Sequence, residues 1–276
     1  MSVALDADLA AEWRAMVVAT REPDGPTPGD RWARRAGRFD RRSREAGAAD
    51  PLVDVVGSHL LADDVVVDIG AGTGRHVVPL ARACRRMIAV EPSASMRAHL
   101  ERRVAEEGLV NVDVLSDRWP CPSRVAGDVV LSAHVLYGVE DAPAFVLAMD
   151  AAARRLCALC LGVTAPADAL APLRARVHGA VLPRRPAALD ALALLHQLGL
   201  PAELRLLPGS ERELVFGASD EEIDELCLRV NVDPDEPGRA RVRAALDAIA
   251  PADVSGQHRL GKTGPNALVT WRARAR

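Results

Sequence analysis

Three acidic residues stand at the ends of three successive apolar runs. Asp68 closes VVVDI at 65–69, Glu91 follows MIAV, and Asp117 comes just after the alternating VNVDVL at 110–115. Between the first two runs lies Gly70-Ala71-Gly72-Thr73-Gly74. Glycines at such spacing allow a tight turn with positive φ and let a ligand approach the backbone without meeting a Cβ. Loops of this kind serve two ligand classes, dinucleotides and S-adenosylmethionine. A dinucleotide fingerprint, G-x-G-x-x-G, needs glycine at position 75, where this chain has Arg75. Asp68 faces the loop with a carboxylate that repels a pyrophosphate and suits an ammonium, so charge points to the sulfonium cofactor. Glu91 can accept both ribose hydroxyls, a feature common to both ligand classes. Farther on, a fourth run ends in Ser132, Ala133, His134 and, three residues later, Tyr137, the only tyrosine of the chain. Histidine titrates near neutrality and is the natural base if a hydroxyl must lose its proton.

The elements that must hold these residues follow from periodicity. Runs at 65–69, 86–90 and 128–132 alternate with helix-like stretches, which argues for parallel strands joined by crossover helices. Further strands are expected at 110–115, 154–163, 202–207 and 266–271. The expected fold is therefore α/β, a doubly wound and mostly parallel seven-stranded sheet. Val77, Val78, Leu80, Ala81 and Cys84 recur at helical spacing, with Pro79 expected to bend the helix. Ser93 can cap a helix striped by Met96, Leu100 and Val104, with Gly108 as its stop. One domain over 1–276 is expected, divided into an N-terminal helical lid (1–50), a cofactor-binding core (51–210), a helical insertion (211–255) and a C-terminal strand (256–276). In a doubly wound sheet, ligands sit at the carboxyl ends of the strands near the switch point, which places His134 and Tyr137 beside the glycine loop.

This constellation resembles the class I S-adenosylmethionine-dependent methyltransferases, in particular small bacterial Rossmann-like members whose core runs strand-DxGxGTGR-helix-strand-E. The resemblance implies Asp68 near the ammonium, Gly70, Ala71 and Gly72 beside the methionine and ribose, and Glu91 on the ribose. It also implies Asp117 at the adenine amino group with Arg118 and Trp119 flanking the base, and S-adenosylhomocysteine as product. Related enzymes that methylate amide or exocyclic amine nitrogens carry N-P-P-[YF] after the fourth strand, and this chain does not. A small-molecule acceptor is expected, attacked in line with His134 and Tyr137 at the reacting centre. An RNA or protein acceptor, or a catalytically idle cofactor-binding protein, is the alternative. The segment RWARRAGRFDRRSR at 31–44 interleaves seven arginines with Trp32 and Phe39. It can serve the cofactor carboxylate, an acidic substrate, a nucleic acid or only solvent. Trp32, Arg174 and His178 are candidate substrate contacts.

Bulk properties set limits. Hydrophobic residues make up 49% and charged residues 26%, and the net charge of −3 gives no pull toward nucleic acid or anionic membrane. No basic-then-apolar leader and no membrane-length apolar stretch is present, so a cytoplasmic protein without membrane partners is expected. Nothing in the sequence fixes an oligomeric state. Five scattered cysteines suggest reduced thiols and no disulfide framework. Two motifs mislead. Gly256 to Thr263 matches G-x-x-x-x-G-K-[ST], but Pro251 precedes it and Gly264-Pro265 follows it, so a turn leading into the last strand is expected. Cys157 and Cys160 form C-x-x-C on a strand, where residues three apart point to opposite faces and cannot share a metal ion. No metal site is expected.

Overall fold

The Val-rich runs become strands buried on both faces, as a parallel sheet between two helical layers requires. In the computed structural model, which describes residues 8–20, 30, 32–33, 35–45, 50–121, 125–181 and 183–274, every residue of β1 (Val65–Ile69) is buried. Strands β2 (Arg86–Val90) and β4 (Gly127–Ala133) flank β1 in parallel. Strand β3 (Val112–Leu115) continues outward from β2, and β5 (Ala153–Gly162) from β4, also in parallel. Strand β9 (Asn266–Arg272) then runs antiparallel to both β5 and β6 (Glu203–Leu207). The resulting seven-stranded order is β3-β2-β1-β4-β5-β9-β6, with the reversal between β1 and β4 marking the switch point.

Alternate residues of each strand serve opposite layers. Val65, Val67 and Ile69 join one core with α1 (Leu9–Ala19), α6 (Ala142–Ala152) and α8 (Ala188–Gln197), while Val66 joins the other. That second core holds α3 (Pro51–Gly57), α4 (Val77–Ala81) and α5 (Ala94–Glu106). The same alternation separates the two thiols of C-x-x-C: Cys157 lies in the first core and Cys160 in the second. Pro79 limits α4 to one short piece of five residues. Ser93 accepts a hydrogen bond from the Met96 amide at the start of α5, and Gly108 takes a positive φ just after its end. Trp13 anchors α1 in the sheet-covering layer, with Nε1 donating to the Val139 carbonyl at 2.9 Å.

The region between β6 and β9 is more than helical. Strands β7 (Glu213–Phe216) and β8 (His258–Lys262) form an antiparallel pair that brackets α9 (Asp220–Arg229) and α10 (Glu236–Ile249). The nucleotide-loop look-alike at 256–263 therefore contains a strand rather than only a turn; Gly264, Pro265 and β9 follow it, with no helix. Residues 166–178, a 3₁₀ turn followed by α7 (Ala171–His178), pack with this excursion around a third core. Leu170, Leu173, Phe216, Ile223, Leu226, Val242 and Leu246 fill it. Two segments distant in sequence thus build one cap on the side where β5 ends and β9 begins.

Four of the five cysteines, Cys84, Cys157, Cys160 and Cys227, are buried, and Cys121 is half-buried. Burial pushes the Cys160 thiol up to about 12, far from the thiolate that reacts. Titration of the native protein with a disulfide reagent should show one rapid thiol, abolished by Cys121→Ser; the others should react only on unfolding.

Candidate active site

The sharp turn after β1 is built from two backbone amides, Gly70 and Ala71, which both donate to the Val90 carbonyl, at 2.7 and 3.2 Å. Gly70 has φ +73°, and a Cβ there would lie 2.3 Å from Val135 Cγ2, so no other residue fits. Asp68, next to last in β1, is 1% exposed, and neither carboxylate oxygen has a hydrogen-bond partner among the described residues. Burial, reinforced by the nearby Glu91 charge and opposed by Arg75, pushes Asp68 up to about 7. Glu91 is buried as well, and its burial raises it too. Its oxygens receive the amides of Gly72 and Ser93, both at 2.8 Å. Each oxygen keeps a lone pair for a further donor, as a pair of ribose hydroxyls needs. In the same loop the Thr73 hydroxyl is buried with no hydrogen-bond partner among the described residues. A buried carboxylate awaiting a cation, beside a loop that only glycine permits, fits the ammonium end of the expected cofactor.

The residues expected around an adenine are split. Asp117 is half-buried, Arg118 is exposed, and Trp119 is half-buried, with its indole N–H donating to the Phe145 carbonyl at 3.1 Å. Trp119 packs against the first core, which accounts for much of its surface.

At the end of β4, His134 adopts φ +60°, a left-handed conformation that strains a non-glycine residue by about 1–3 kcal/mol. Its amide donates to the Cys160 carbonyl at 2.9 Å, which holds the bend against β5. His134 Nδ1 lies 3.1 Å from the Tyr137 hydroxyl, and that hydroxyl accepts the Gly162 amide at 2.5 Å. Burial, with the positive Arg75 nearby, pushes His134 down to about 3, so the ring is neutral near pH 7. Burial likewise raises Tyr137. Beside them sits a cluster that sequence reasoning missed. Arg75 Nε lies 3.1 Å from His76 Nε2 and 3.3 Å from Asp50 Oδ2. Asp50 also caps α3 through the Leu52 amide, and the Asp50-Pro51 pair is a helix-start signal that could have flagged it.

The three candidate substrate contacts lie apart. Trp32 is 39% exposed and meets Phe39 edge-on at 6.0 Å, with Arg35 stacked on it at 5.2 Å. Arg174, buried in α7, lines a cavity of about 110 Å³ with Thr20, Asp168, Ala171 and Arg185. His178 Nε2 lies 2.6 Å from the Val230 carbonyl and ties α7 to the end of α9. Arg31 and Arg34 of the arginine-rich segment lie outside the described residues. Its other arginines are engaged in ion pairs or ring contacts: Arg41 with Glu221, Arg42 with Glu225, and Arg44 with Asp40 and Glu106.

Comparison with known proteins agrees with this fold. Residues 66–158 match the family model of a methyltransferase domain. No curated protein matches the chain in sequence. Among solved structures, the YcgJ protein of Bacillus subtilis is 14% identical over 81% of this chain and 98% of its own, with a TM-score of 0.55. A Bacillus halodurans protein is 13% identical over 81% and 97%, with a TM-score of 0.57. Magnesium protoporphyrin IX methyltransferase of Synechocystis, in a structure with bound SAH, is 15% identical over 89% and 97%, with a TM-score of 0.55. At these identities the likeness is one of fold.

Asp68 generates a signed pH prediction. Its folded value lies above the ordinary 3.8, so the free protein loses stability as pH rises from about 4 through 7. A bound cation reverses the preference. Calorimetry of S-adenosylhomocysteine binding in buffers of different ionisation enthalpy should therefore show release of about half a proton at pH 7 and none near pH 9. Asp68→Asn should weaken that binding by about 1.5–3 kcal/mol, roughly 10–100-fold, while the melting temperature holds or rises.

Proposed function

We propose that this chain, whose residues 66–158 are a class I S-adenosylmethionine-dependent methyltransferase domain, methylates a small-molecule acceptor on oxygen or nitrogen. The observation that carries the reading is the strained, half-buried turn at His134. It stands at the end of β4, next to the glycine loop, where its imidazole and the Tyr137 phenol are half-buried. A polymer chain is harder to admit to such a place than a compact nucleophile. The arginines of α2 (Ala36–Glu45) support the same choice, because those paired with Glu221, Glu225, Asp40 and Glu106 do not offer an open basic surface to RNA. The Synechocystis neighbour is likewise named for a small-molecule acceptor.

When bound, S-adenosylmethionine supplies a methyl group already activated on a sulfonium and open to in-line displacement. Asp68 would hold the ammonium, Glu91 the ribose hydroxyls, and the amides and glycines of 70–72 would line the chain between them. Asp117 and Trp119 bound the adenine side. The work left to the protein is orientation, which contributes up to about 7–11 kcal/mol in well-aligned cases. Tyr137 accepts from Gly162 and lies within hydrogen-bond distance of His134 Nδ1; with the phenol hydrogen directed to Nδ1, the neutral ring would carry its own hydrogen on Nε2 as a donor. In this arrangement His134 orients an oxygen acceptor through a hydrogen bond to one lone pair while another attacks; a nitrogen acceptor, which attacks with its single lone pair, would be held through a neighbouring oxygen of the same molecule. The acceptor's proton leaves to solvent after transfer.

Incubation of the chain with methyl-labelled cofactor and fractionated cell extract should place label in the small-molecule fraction and leave RNA and protein unlabelled. With the acceptor in hand, His134→Ala and Tyr137→Phe should each lower turnover about 10–100-fold with little change in cofactor affinity. Because His134 titrates near pH 3, turnover at saturating cofactor, where Asp68 is already ionised by its bound cation, should show no step between pH 5 and 8. A rise centred near pH 6.5 would make His134 a base instead.

A further inference from the structure

The arginine-rich helix α2 is held from two sides, and the residue on its face between them lies over the glycine loop. On one side Ala36, Asp40 and Ser43 are buried at helical spacing, toward α5. There Asp40 Oδ2 lies 3.3 Å from His99, and Ser43 receives Arg103. On the other side Arg38 and Arg42, one turn apart, both form ion pairs with Glu225 of α9, the latter at 2.5 Å. Arg229 reaches the same carboxylate at 2.8 Å. Glu225 is 8% exposed, so one buried anion is shared by three guanidinium groups from two segments 183 residues apart. Nearby, Arg38 Nη1 donates to the Glu221 carbonyl at 2.7 Å. The segment before α2 is tied down as well: Asp30 accepts from the Ser95 amide and the Ser93 hydroxyl, both at 2.8 Å, beside Glu91. With the roll of α2 fixed in this way, Phe39 projects its ring edge to 3.9 Å from where a Cβ on Gly72 would stand.

We infer that Glu225 is a positioning residue for the methyl donor: by drawing Arg38 and Arg42 against the cap, it holds Phe39 over Gly72 and retains the ligand lying on that loop. This rests on the reading that the loop at 70–74 holds S-adenosylmethionine. A surface pair would do little here, since exposed ion pairs contribute weakly, whereas a buried charge keeps its partners close because separation leaves it unsolvated. Glu225 touches neither the donor's loop nor the His134 region, so its effect passes through Phe39. Cofactor exchange then requires α2 and α9 to part, which makes the dissociation rate the quantity that Glu225 controls.

The test measures dissociation of S-adenosylhomocysteine from the full chain by stopped-flow displacement, together with the melting temperature. Phe39→Ala, at a 42% exposed position, should speed dissociation about tenfold without changing the melting temperature. Glu225→Gln should speed it by a similar factor, Glu225→Asp should restore part of the loss, and Glu225→Gln with Phe39→Ala together should be no faster than either alone. If Glu225→Gln folds poorly, Arg42→Met removes one ion pair at a half-exposed position and should give the same direction. Variants that lower the melting temperature but keep the wild-type dissociation rate would overturn the inference and leave Glu225 a purely structural anchor. Failure of the wild-type chain to bind S-adenosylhomocysteine would instead remove the methyl-donor reading, and the inference with it.

Discussion

The arrangement of this molecule turns on one carboxylate kept from water and, among the described residues, from any hydrogen-bond partner. A buried ion without a counter-charge costs several kcal/mol, and the group answers by holding its proton to about pH 7. β1 places Asp68 between two parallel neighbours, β2 and β4, in the middle of a sheet covered on both faces, and leaves it 1% exposed. The turn that follows is so close to Val135 that only glycine fits at position 70. Glu91, a second buried acid, adds repulsion where a purely structural design would have placed a base. Strain and charge are thus concentrated on one edge of the sheet, where a cationic ligand relieves them. Such local conflict is the usual mark of a site selected for binding rather than for stability.

Around that edge the chain assembles three bodies. The sheet with its two helical layers forms the floor, the cap of β7, β8, α7, α9 and α10 stands to one side, and α2 lies between them. His134 and Tyr137 come from the floor, yet they sit near charged groups that other elements contribute, Asp50 and Arg75 among them. Methyl transfer asks little of side chains except alignment, and a junction of three packed bodies fixes alignment in more directions than a loop can. The positive φ of His134 belongs to the same economy: the bend turns the ring toward Tyr137 and the end of β5.

Much of this was legible in the sequence because parallel strands write themselves as unbroken apolar runs. All seven sheet strands, the Ser93 cap, the Gly108 stop and the opposed thiols of Cys157 and Cys160 follow from period and spacing. The glycine loop was legible because Asp68 and Arg75 flank it. What stayed hidden depends on contacts between distant segments. Strands β7 and β8 are only four and five residues long, ELVF and HRLGK, and neither alternates clearly. The pair between Arg42 of α2 and Glu225 joins residues 183 apart, so local reading could not choose among cofactor, acidic substrate, nucleic acid and solvent as the partner of these arginines. The ionisation of His134 was beyond reach for a different reason: its type suggests neutrality as its midpoint, and only burial moves it. Asp30, Asp50 and His76 escaped because capping and tethering acids look like ordinary surface residues until their partners are known.

The antiparallel strand β9 carries a consequence for how the chain reaches this state. β6 pairs with β9 and with no other strand, and β9 follows the whole cap in sequence. An edge of the sheet therefore stays open until a long excursion has brought its far end back to β5. Closing a loop of that length as a random coil is slow, because entropy is lost before any pairing compensates for it. The third hydrophobic core shortens the effective loop: once α9, α10, β7 and β8 have collapsed on one another, the two ends emerge side by side from the β7–β8 ladder. The cap is thus also the device that delivers the missing strand. Changes that loosen its core should delay completion of the sheet before they touch the site.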